Sequence, residues 1–321
     1  MLDLDRIRPV STGPGTAAPS SKMPGRIVRS LRQLEVVPFL APGLILFSLF
    51  VLWPLLQGLR ISFYEWSIMP GAEQTFVGLA NYRRSFQDPV VRMALANTLI
   101  YVAITVPGQM FFGFLAALAL NSAIRGRVFW RTLYYIPVLT SWVVVSFIFK
   151  YLFMGDEAGP INYLLKNGLG VLPQPVGWLQ DRWTAQVPIN ALGIWKGIGW
   201  NMVMFLAGLQ AISREIYEAA AIDGADGFQT LWRITLPLMK PVLLFVLVML
   251  TIGGFGVFIS VNLLTGGGPM NTTQVILSYM YDQGFKYFDF GYGFALAGLL
   301  GLVIFAISFF QFRYLKNKVE I

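Results

Sequence analysis

The 321-residue sequence has no cysteine, no histidine and few charges, with only 12% of its residues Asp, Glu, Lys or Arg. Without cysteine there are no disulfides, thiol nucleophiles or thiolate-held clusters, and without histidine no imidazole to shuttle protons or bind zinc. These absences argue against a metal-dependent or Ser-His enzyme. The charged fraction is about half of the roughly 25% usual in soluble domains. Also lacking is a Gly-x-x-x-x-Gly-Lys-Ser/Thr loop to cradle nucleotide phosphates, so any ATP-driven work must draw on another chain. No small-residue cleavage site follows the first apolar stretch, which begins at Val36 and is longer than a signal-peptide core; it is expected to stay as an anchor.

What the sequence has instead is apolar length, with 56% of its residues hydrophobic. Six runs, Val36–Leu59, Met93–Ile124, Thr132–Phe149, Gly197–Ser213 (extended upstream past Lys196 to Gln186), Pro241–Leu264 and Phe290–Phe312, reach or approach the roughly 20 residues that cross a bilayer. Six membrane helices are expected. Basic residues gather on one set of connections: Arg6, Arg8, Lys22, Arg26, Arg29 and Arg32, then Arg125, Arg127 and Arg131, then Arg214, Arg233 and Lys240, and last Arg313, Lys316 and Lys318. By the positive-inside rule those connections and both termini are cytoplasmic. The Pro-, Ser-, Gly- and Thr-rich residues 9–24 have too few apolar side chains to pack, which makes residues 1–35 a largely disordered cytoplasmic tail. Residues 36–318 form the membrane domain, and 319–321 a short cytoplasmic end. In the external segment Met154–Ala185, which carries Pro160, Pro173 and Pro175 and reads as a short helix and a loop, Trp178 and Trp183 suit an interfacial position.

The segment 213–241 carries the most information. Ser213 is placed to cap a short helix with Glu215 and Glu218 near its positive end, continued by Ala219, Ala220 and Ala221. Gly224 can end that helix in a left-handed conformation, and Asp226 can cap a second one that Pro237 stops. Phe228, Leu231 and Trp232 recur at helical spacing on one face. A small-residue surface at Ala219 and Ala220, a hinge and an aromatic ridge make a docking element; an amphipathic pair lying on the membrane is the plainer alternative.

Glu218-Ala219-Ala220, Gly224, Ile234 and Leu236-Pro237, with Asp223 and Ala225, resemble the EAA motif of permease subunits in binding-protein-dependent ABC importers. Leu231 stands where that family often has phenylalanine. The stretch from Phe76 to Tyr82, with Phe86, Asp88-Pro89 and Asn97-Thr98, and the stretch from Leu263 to Pro269, are similar to the carbohydrate-importer branch, the maltose-type and glycerol-phosphate-type permeases. The likeness covers about residues 36–318. It implies an all-α integral membrane protein of six transmembrane helices with the MetI-like permease fold, in the cytoplasmic membrane of a bacterium or archaeon. It implies a second homologous permease, two ATPase subunits that bind the ATP and magnesium, an extracytoplasmic solute-binding protein, and no cofactor in this chain. Coupling to the ATPases would fall to Glu218, Ala219, Ala220, Asp223, Gly224, Phe228, Trp232 and Pro237.

A sugar crossing the bilayer needs hydrogen-bond partners and flat apolar faces, since desolvated hydroxyls cost several kcal/mol each. Polar or large aromatic residues within spans are the candidates: Asn97, Tyr101, Trp142, Trp195, Lys196, Gly197, Trp200, Asn201 and Asn262, with Thr98, Gln109, Ser141, Ser146 and Ser260 beside them. Gly197 and Gly199 could bend the fourth span or admit a ligand. By resemblance, Trp200 falls in a span that contacts sugar in the maltose permease. Lys196, alone as a charge in its run, could meet an anionic solute, but its place near the outer end favours snorkelling to the interface. Where the maltose permease has an asparagine-rich stretch, this chain has Gly253, Gly254, Phe255, Gly256 and Val257, so maltose itself is not supported. A phosphodiester or polyol remains an alternative solute, and a carrier working without an ATPase an alternative mechanism. A membrane transferase would need paired carboxylates, and Asp156-Glu157, the adjacent acid pair, reads as a solvated turn. Nucleic-acid binding would need a broad basic face, and here the basic residues sit beside spans.

Overall fold

A computed structural model describes residues 37–69, 71, 73–122 and 125–316. The expected tail 1–35, the six arginines and lysines within it, Lys318 and residues 319–321 lie outside the described residues. The chain divides into two compact units, Met1–Leu56 and Gln57–Ile321. In the first, residues 37–56 are helical, with a π-helical turn at Ser48–Leu52 and their large apolar side chains exposed.

In chain order the described elements are α1 (Pro38–Ile61), strands β1 (Tyr64–Glu65) and β2 (Thr75–Phe76), and the helices α2 (Ala80–Gln87), α3 (Pro89–Asn121), α4 (Arg127–Leu139) and α5 (Trp142–Leu152). After a short helix at Pro160–Tyr163 that runs into a π-helical turn at Leu164–Gly168 come α6 (Arg182–Ala211), α7 (Arg214–Ile222), α8 (Gly227–Phe255), α9 (Ile259–Leu264), α10 (Ile276–Tyr281) and α11 (Phe290–Lys316). Five of these, α1, α3, α6, α8 and α11, are long and apolar enough to cross a membrane, and α4 with α5 make a sixth only if the pair is one broken span. The two strands pair antiparallel with Tyr64 opposite Phe76.

Two expected boundaries are corrected. The third run is not one helix: α4 and α5 meet at a 95° bend. Thr140 and Ser141 are extended, and the Ser141 hydroxyl accepts from Val143 N at 3.3 Å to start α5 afresh. Ser146 bonds back to the Trp142 carbonyl, so both serines serve the helix itself. The fifth run ends at Phe255, because Gly256 breaks it before α9, and it begins much earlier than expected, at Gly227.

The core of the second unit lies along α3 and α6, which approach closely through small residues, as helices in lipid do. A Cβ at Gly113 would sit 2.6 Å from the Asn201 Cβ, and one at Gly108 2.7 Å from Ile194. Ala117, Leu120, Met202, Phe205 and Leu209 fill the space toward Met239 and Val246 of α8.

At the other end of α3 a polar corner fixes the helix. Asp88 caps α3 through Val90 N at 2.8 Å, and its other oxygen accepts from the Tyr279 and Tyr292 hydroxyls, each at 2.8 Å. Arg84 pairs with Asp289 at 2.6 Å and lies 3.9 Å from the Tyr292 ring centroid. Burial alone would raise the Asp88 pKa, yet the hydrogen bonds from Tyr279, Tyr292, Val90 and Val91 hold it below the ordinary 3.8. A carboxyl that titrates lower when folded contributes stability above its unfolded pKa and loses that contribution as pH falls through the folded one. Asp88→Asn is therefore expected to cost about 1.5 kcal/mol near neutral pH, the low end for charged hydrogen bonds at a half-buried site. Melting curves should show the variant less stable at pH 7 and converging on the wild type in acid; equal melting at pH 7 would contradict this.

Candidate functional site

Two features stand out, a helix-turn-helix at 213–241 and a cavity among the spans. In the first, α7 ends in a Schellman arrangement: Ala225 N donates to Ala220 O at 2.9 Å and Gly224 N to Ala221 O at 3.2 Å. Gly224 supplies the left-handed residue this requires, at φ 77°. Asp226 then opens α8 with a capping box, its carboxylate accepting from Gln229 N at 2.7 Å while its own N–H donates to the Gln229 side chain at 3.3 Å. Tyr217 and Thr235 hydroxyls, 3.3 Å apart, tie the two helices together.

Three expectations for this segment need correction. Ser213 occupies the N-cap position of α7 but makes no side-chain cap bond. Ala220 is only 5% exposed, so the small-residue surface is Ala219 with Ala221 rather than Ala219 with Ala220. Pro237 does not stop the second helix; a π-helical turn at Leu231–Thr235 precedes it, and the chain continues into α8 with the proline in the first α-helical turn, where its missing N–H is least costly. The second short helix is therefore the start of the fifth apolar helix. Phe228 and Trp232 are 71% and 57% exposed with ring centroids 6.0 Å apart, and Ile222, Glu218 and Asp223 are exposed beside the turn.

The cavity measures about 380 Å³. Tyr101 and Gln109 of α3, Val138 of α4, Trp142 of α5 and Gly193, Lys196 and Gly197 of α6 form one side; Met249, Leu250 and the glycine-rich end of α8, continuing through Val257 and Phe258 to Ile259 and Ser260 of α9, form the other. A Cβ on Gly253 would meet nothing within 4 Å, so the wall there is open. Polar groups are few: the Tyr101 hydroxyl, the Gln109 amide, which donates to Gly193 O at 3.1 Å, the Lys196 ammonium and the Ser260 hydroxyl.

Of the nine path candidates, Tyr101, Trp142, Lys196 and Gly197 line this cavity. Asn97 does not: fully buried, it donates to Thr272 O and Gln274 O, each at 2.8 Å, and accepts from Arg182 Nε at 2.9 Å, fastening α3 to the segment before α10. Asn201 is fully buried and donates to Gly197 O at 2.8 Å. Trp195 packs against Phe149, and Trp200 against the α3–α6–α8 core. Asn262 is half-buried on α9. Lys196 does not snorkel. It is 5% exposed, and Nζ donates to Pro137 O at 2.8 Å and Thr140 O at 2.6 Å. A Cβ at Gly197 would fall 2.1 Å from Gln109 Oε1 and one at Gly199 2.2 Å from Tyr134 O, so both glycines serve the close packing of α6 on α3 and α4.

Wall residues that sequence reasoning passed over include Gly193, Val138, Met249, Leu250, Phe258 and Ile259, because apolar and small side chains carry no polar signal. The glycine run 253–256 was visible only as a departure from a relative.

With Trp200 partly buried against that core, Trp200→Ala is expected to act on stability. Truncating a fully packed aromatic costs about 3–5 kcal/mol and a partly buried one about 2 kcal/mol, so the melting temperature of the assembled protein should fall while the solute concentration for half-maximal uptake stays put. A stable variant with altered concentration dependence would return Trp200 to the path.

The model of a family described as "Binding-protein-dependent transport system inner membrane component" matches residues 109–321. The lactose transport system permease protein LacF of Rhizobium radiobacter is 36% identical over 284 residues, 87% of this chain and 93% of that protein. The arabinooligosaccharides transport system permease protein AraP of Bacillus subtilis is 35% identical over 311 residues, 96% of this chain and 97% of its own. The sn-glycerol-3-phosphate transport system permease protein UgpA of Agrobacterium fabrum is 32% identical over 289 residues, 89% and 97% of the two chains. A chain of a bacterial alginate ABC transporter, crystallised with an alginate pentasaccharide-bound periplasmic protein, superposes with a TM-score of 0.79 at 24% identity, covering 92% of this chain and 99% of that one. An EAA-type turn closed by a Schellman cap, apolar membrane helices and full-length relatives agree: this chain belongs to the inner-membrane permease components of binding-protein-dependent ABC importers, whose ATPase activity lies in separate subunits.

Proposed function

We propose that this chain forms half of the translocation path for a sugar or sugar-derived solute, facing a second, homologous permease. A binding protein outside the cell delivers the solute, and two ATPase subunits drive the cycle through the turn at Gly224. In this reading α4 and α5 are one broken span, giving six, and both ends of the chain are cytoplasmic, in line with the basic residues at Arg125, Arg127, Arg131, Arg214 and Arg233. The observation that carries the reading is the exposed ridge of Ile222, Phe228 and Trp232 beside a turn that caps α7 and starts α8 in four residues. Helix α8 runs without interruption from that turn to the glycine wall of the cavity, so a push on the ridge reaches the wall as rigid-body motion.

The solute class rests on the cavity and the relatives. Trp142 and Tyr101 offer aromatic faces and Gln109 and Ser260 offer hydrogen bonds, with no carboxylate in the wall. The relatives are named for lactose, arabinooligosaccharides and sn-glycerol-3-phosphate.

Reconstituting the chain with its second permease, ATPases and binding protein tests the proposal. Labelled lactose, an arabino-oligosaccharide and sn-glycerol 3-phosphate should be offered in turn. ATP-dependent uptake of a neutral sugar is expected; uptake without ATPase subunits would refute the coupled mechanism. Within that assay Gly253→Leu separates path from scaffold. Leucine favours a helix over glycine by roughly 1 kcal/mol and meets no neighbour at Cβ, so the complex should melt no lower while uptake falls about tenfold or more as the wall fills. Unchanged uptake would take the cavity out of the path.

A further inference from the structure

The structure assigns Lys196 a positioning role: its ammonium holds open the break between α4 and α5 and thereby sets where Trp142 stands in the cavity wall. In a continuous helix the carbonyls of Pro137 and Thr140 would accept from the amides four residues on. The 95° bend removes both donors, as at any helix end. Lys196 Nζ takes their place, at 2.8 Å from Pro137 O and 2.6 Å from Thr140 O, and the Thr140 hydroxyl adds a second donor to Pro137 O at 2.6 Å. The same ammonium stands 5.0 Å from the Trp142 ring centroid, on the first residue of α5. One side chain from α6 therefore closes α4 and faces the residue that opens α5.

Charge and burial point the same way. Among the described residues no carboxylate pairs with Lys196. Its counter-charge is the negative end of the α4 dipole together with the indole face. A cation placed in a low-dielectric interior is costly unless its hydrogen bonds are satisfied, and a methionine of similar length would pack there without that cost. An ammonium has three donors. Two are taken by carbonyls and the indole covers another direction, which leaves nothing to bind an anionic solute. The lysine serves the shape of the wall rather than the charge of the cargo.

The consequence for uptake rests on the cavity being part of the path, but the geometry does not, and it can be read without solute or ATP. Because the chain has no cysteine, two introduced ones carry the only labels on it. In the assembled transporter in lipid nanodiscs, spin labels at Val144 and Val203, exposed on α5 and α6, report the break; labels at Val128 and Val203 report α4 against α6. Lys196→Arg should keep both distances. Lys196→Met should shift or broaden the Val144–Val203 distribution by on the order of 5 Å, the rise of one helical turn, with Val128–Val203 unchanged. An unaltered Val144–Val203 distribution would overturn the assignment. So would equal movement of both pairs, which would make Lys196 a general support of the fold. Should Lys196→Met fail to accumulate, Lys196→Gln, which has a single amide group to offer, takes its place in the same measurement, and a wild-type distribution there overturns the assignment as well.

Discussion

Replacing Gly224 with valine is expected to abolish solute uptake while the chain still enters the membrane at wild-type level. The Schellman cap places residue 224 at φ 77°, where a β-branched side chain is a steric outlier, and even an unbranched one costs about 1–2 kcal/mol. No neighbour lies within 4 Å of a Cβ there, so the damage is conformational and local rather than a clash with the membrane helices. Relaxing φ breaks the bonds from Gly224 and Ala225 to Ala221 and Ala220, and the exit direction of the chain changes. The ridge of Phe228 and Trp232 then no longer stands in register with α7. Uptake should fall to background, and ATP hydrolysis by the complex should lose its response to loaded binding protein. Glu218→Lys is the companion variant. Glu218 is exposed on α7, so reversing its charge leaves the fold intact and tests docking alone. Wild-type uptake in both variants would remove this turn from the coupling path.

This turn was legible in the sequence because its requirements are local. A helix that must stop within one residue and restart two residues later needs glycine at one position and a capping acid at the next but one, and Gly224 and Asp226 are both at hand. The role of Pro237 was not legible. Whether a proline ends a helix or sits harmlessly in its first turn depends on the π-helical turn at Leu231–Thr235, which no propensity marks. The break after Leu139 was hidden for a related reason. Thr132–Phe149 is continuously apolar, and hydropathy measures what faces lipid rather than where the backbone bends. Pro137, Thr140 and Ser141 mark the bend, the last of them a candidate for the path on its polarity alone, and the donor that stabilises the bend, Lys196, lies more than fifty residues away.

The polar residues of the family-like stretches divided along the same line. Asn81, Asp88, Asn97 and Thr98, all within the stretches that resemble the carbohydrate branch, turn out to hold backbone. Asn81 donates to Ser62 O and Tyr64 O at 2.9 and 3.0 Å, and Thr98 accepts from Ile276 N at 3.1 Å. In a bilayer every irregular backbone group needs a partner within the protein. An asparagine in a span therefore signals a corner to be tied as readily as a solute to be held, and sequence alone gives no way to tell which.

A large stability effect is expected at Gly199, where substitution by valine should drive α4 away from α6. A Cβ at this position would stand 2.2 Å from the carbonyl oxygen of Tyr134 and 3.0 Å from Val138 Cγ2. A side chain in the way can turn aside, but a backbone oxygen inside a helix moves only with the helix. Overpacking usually costs about 1–3 kcal/mol, and with a main-chain obstacle and two further methyl groups the cost should lie at the upper end, about 3 kcal/mol. Alanine, with the Cβ alone, should cost less but still destabilise. The displacement would also pull Pro137 and Thr140 away from Lys196, three residues back on α6. The two losses share one helix pair and should couple, so Gly199→Ala combined with Lys196→Met is expected to cost less than the sum of the single changes. Melting temperature and yield of the intact complex measure both. Gly253→Ala, made at an open position facing the same cavity, serves as the reference, because it adds a Cβ that touches nothing. If Gly199→Ala melted with Gly253→Ala, the close approach of α4 to α6 would be wrong, and the reading of Lys196 as the clasp between them would fall with it.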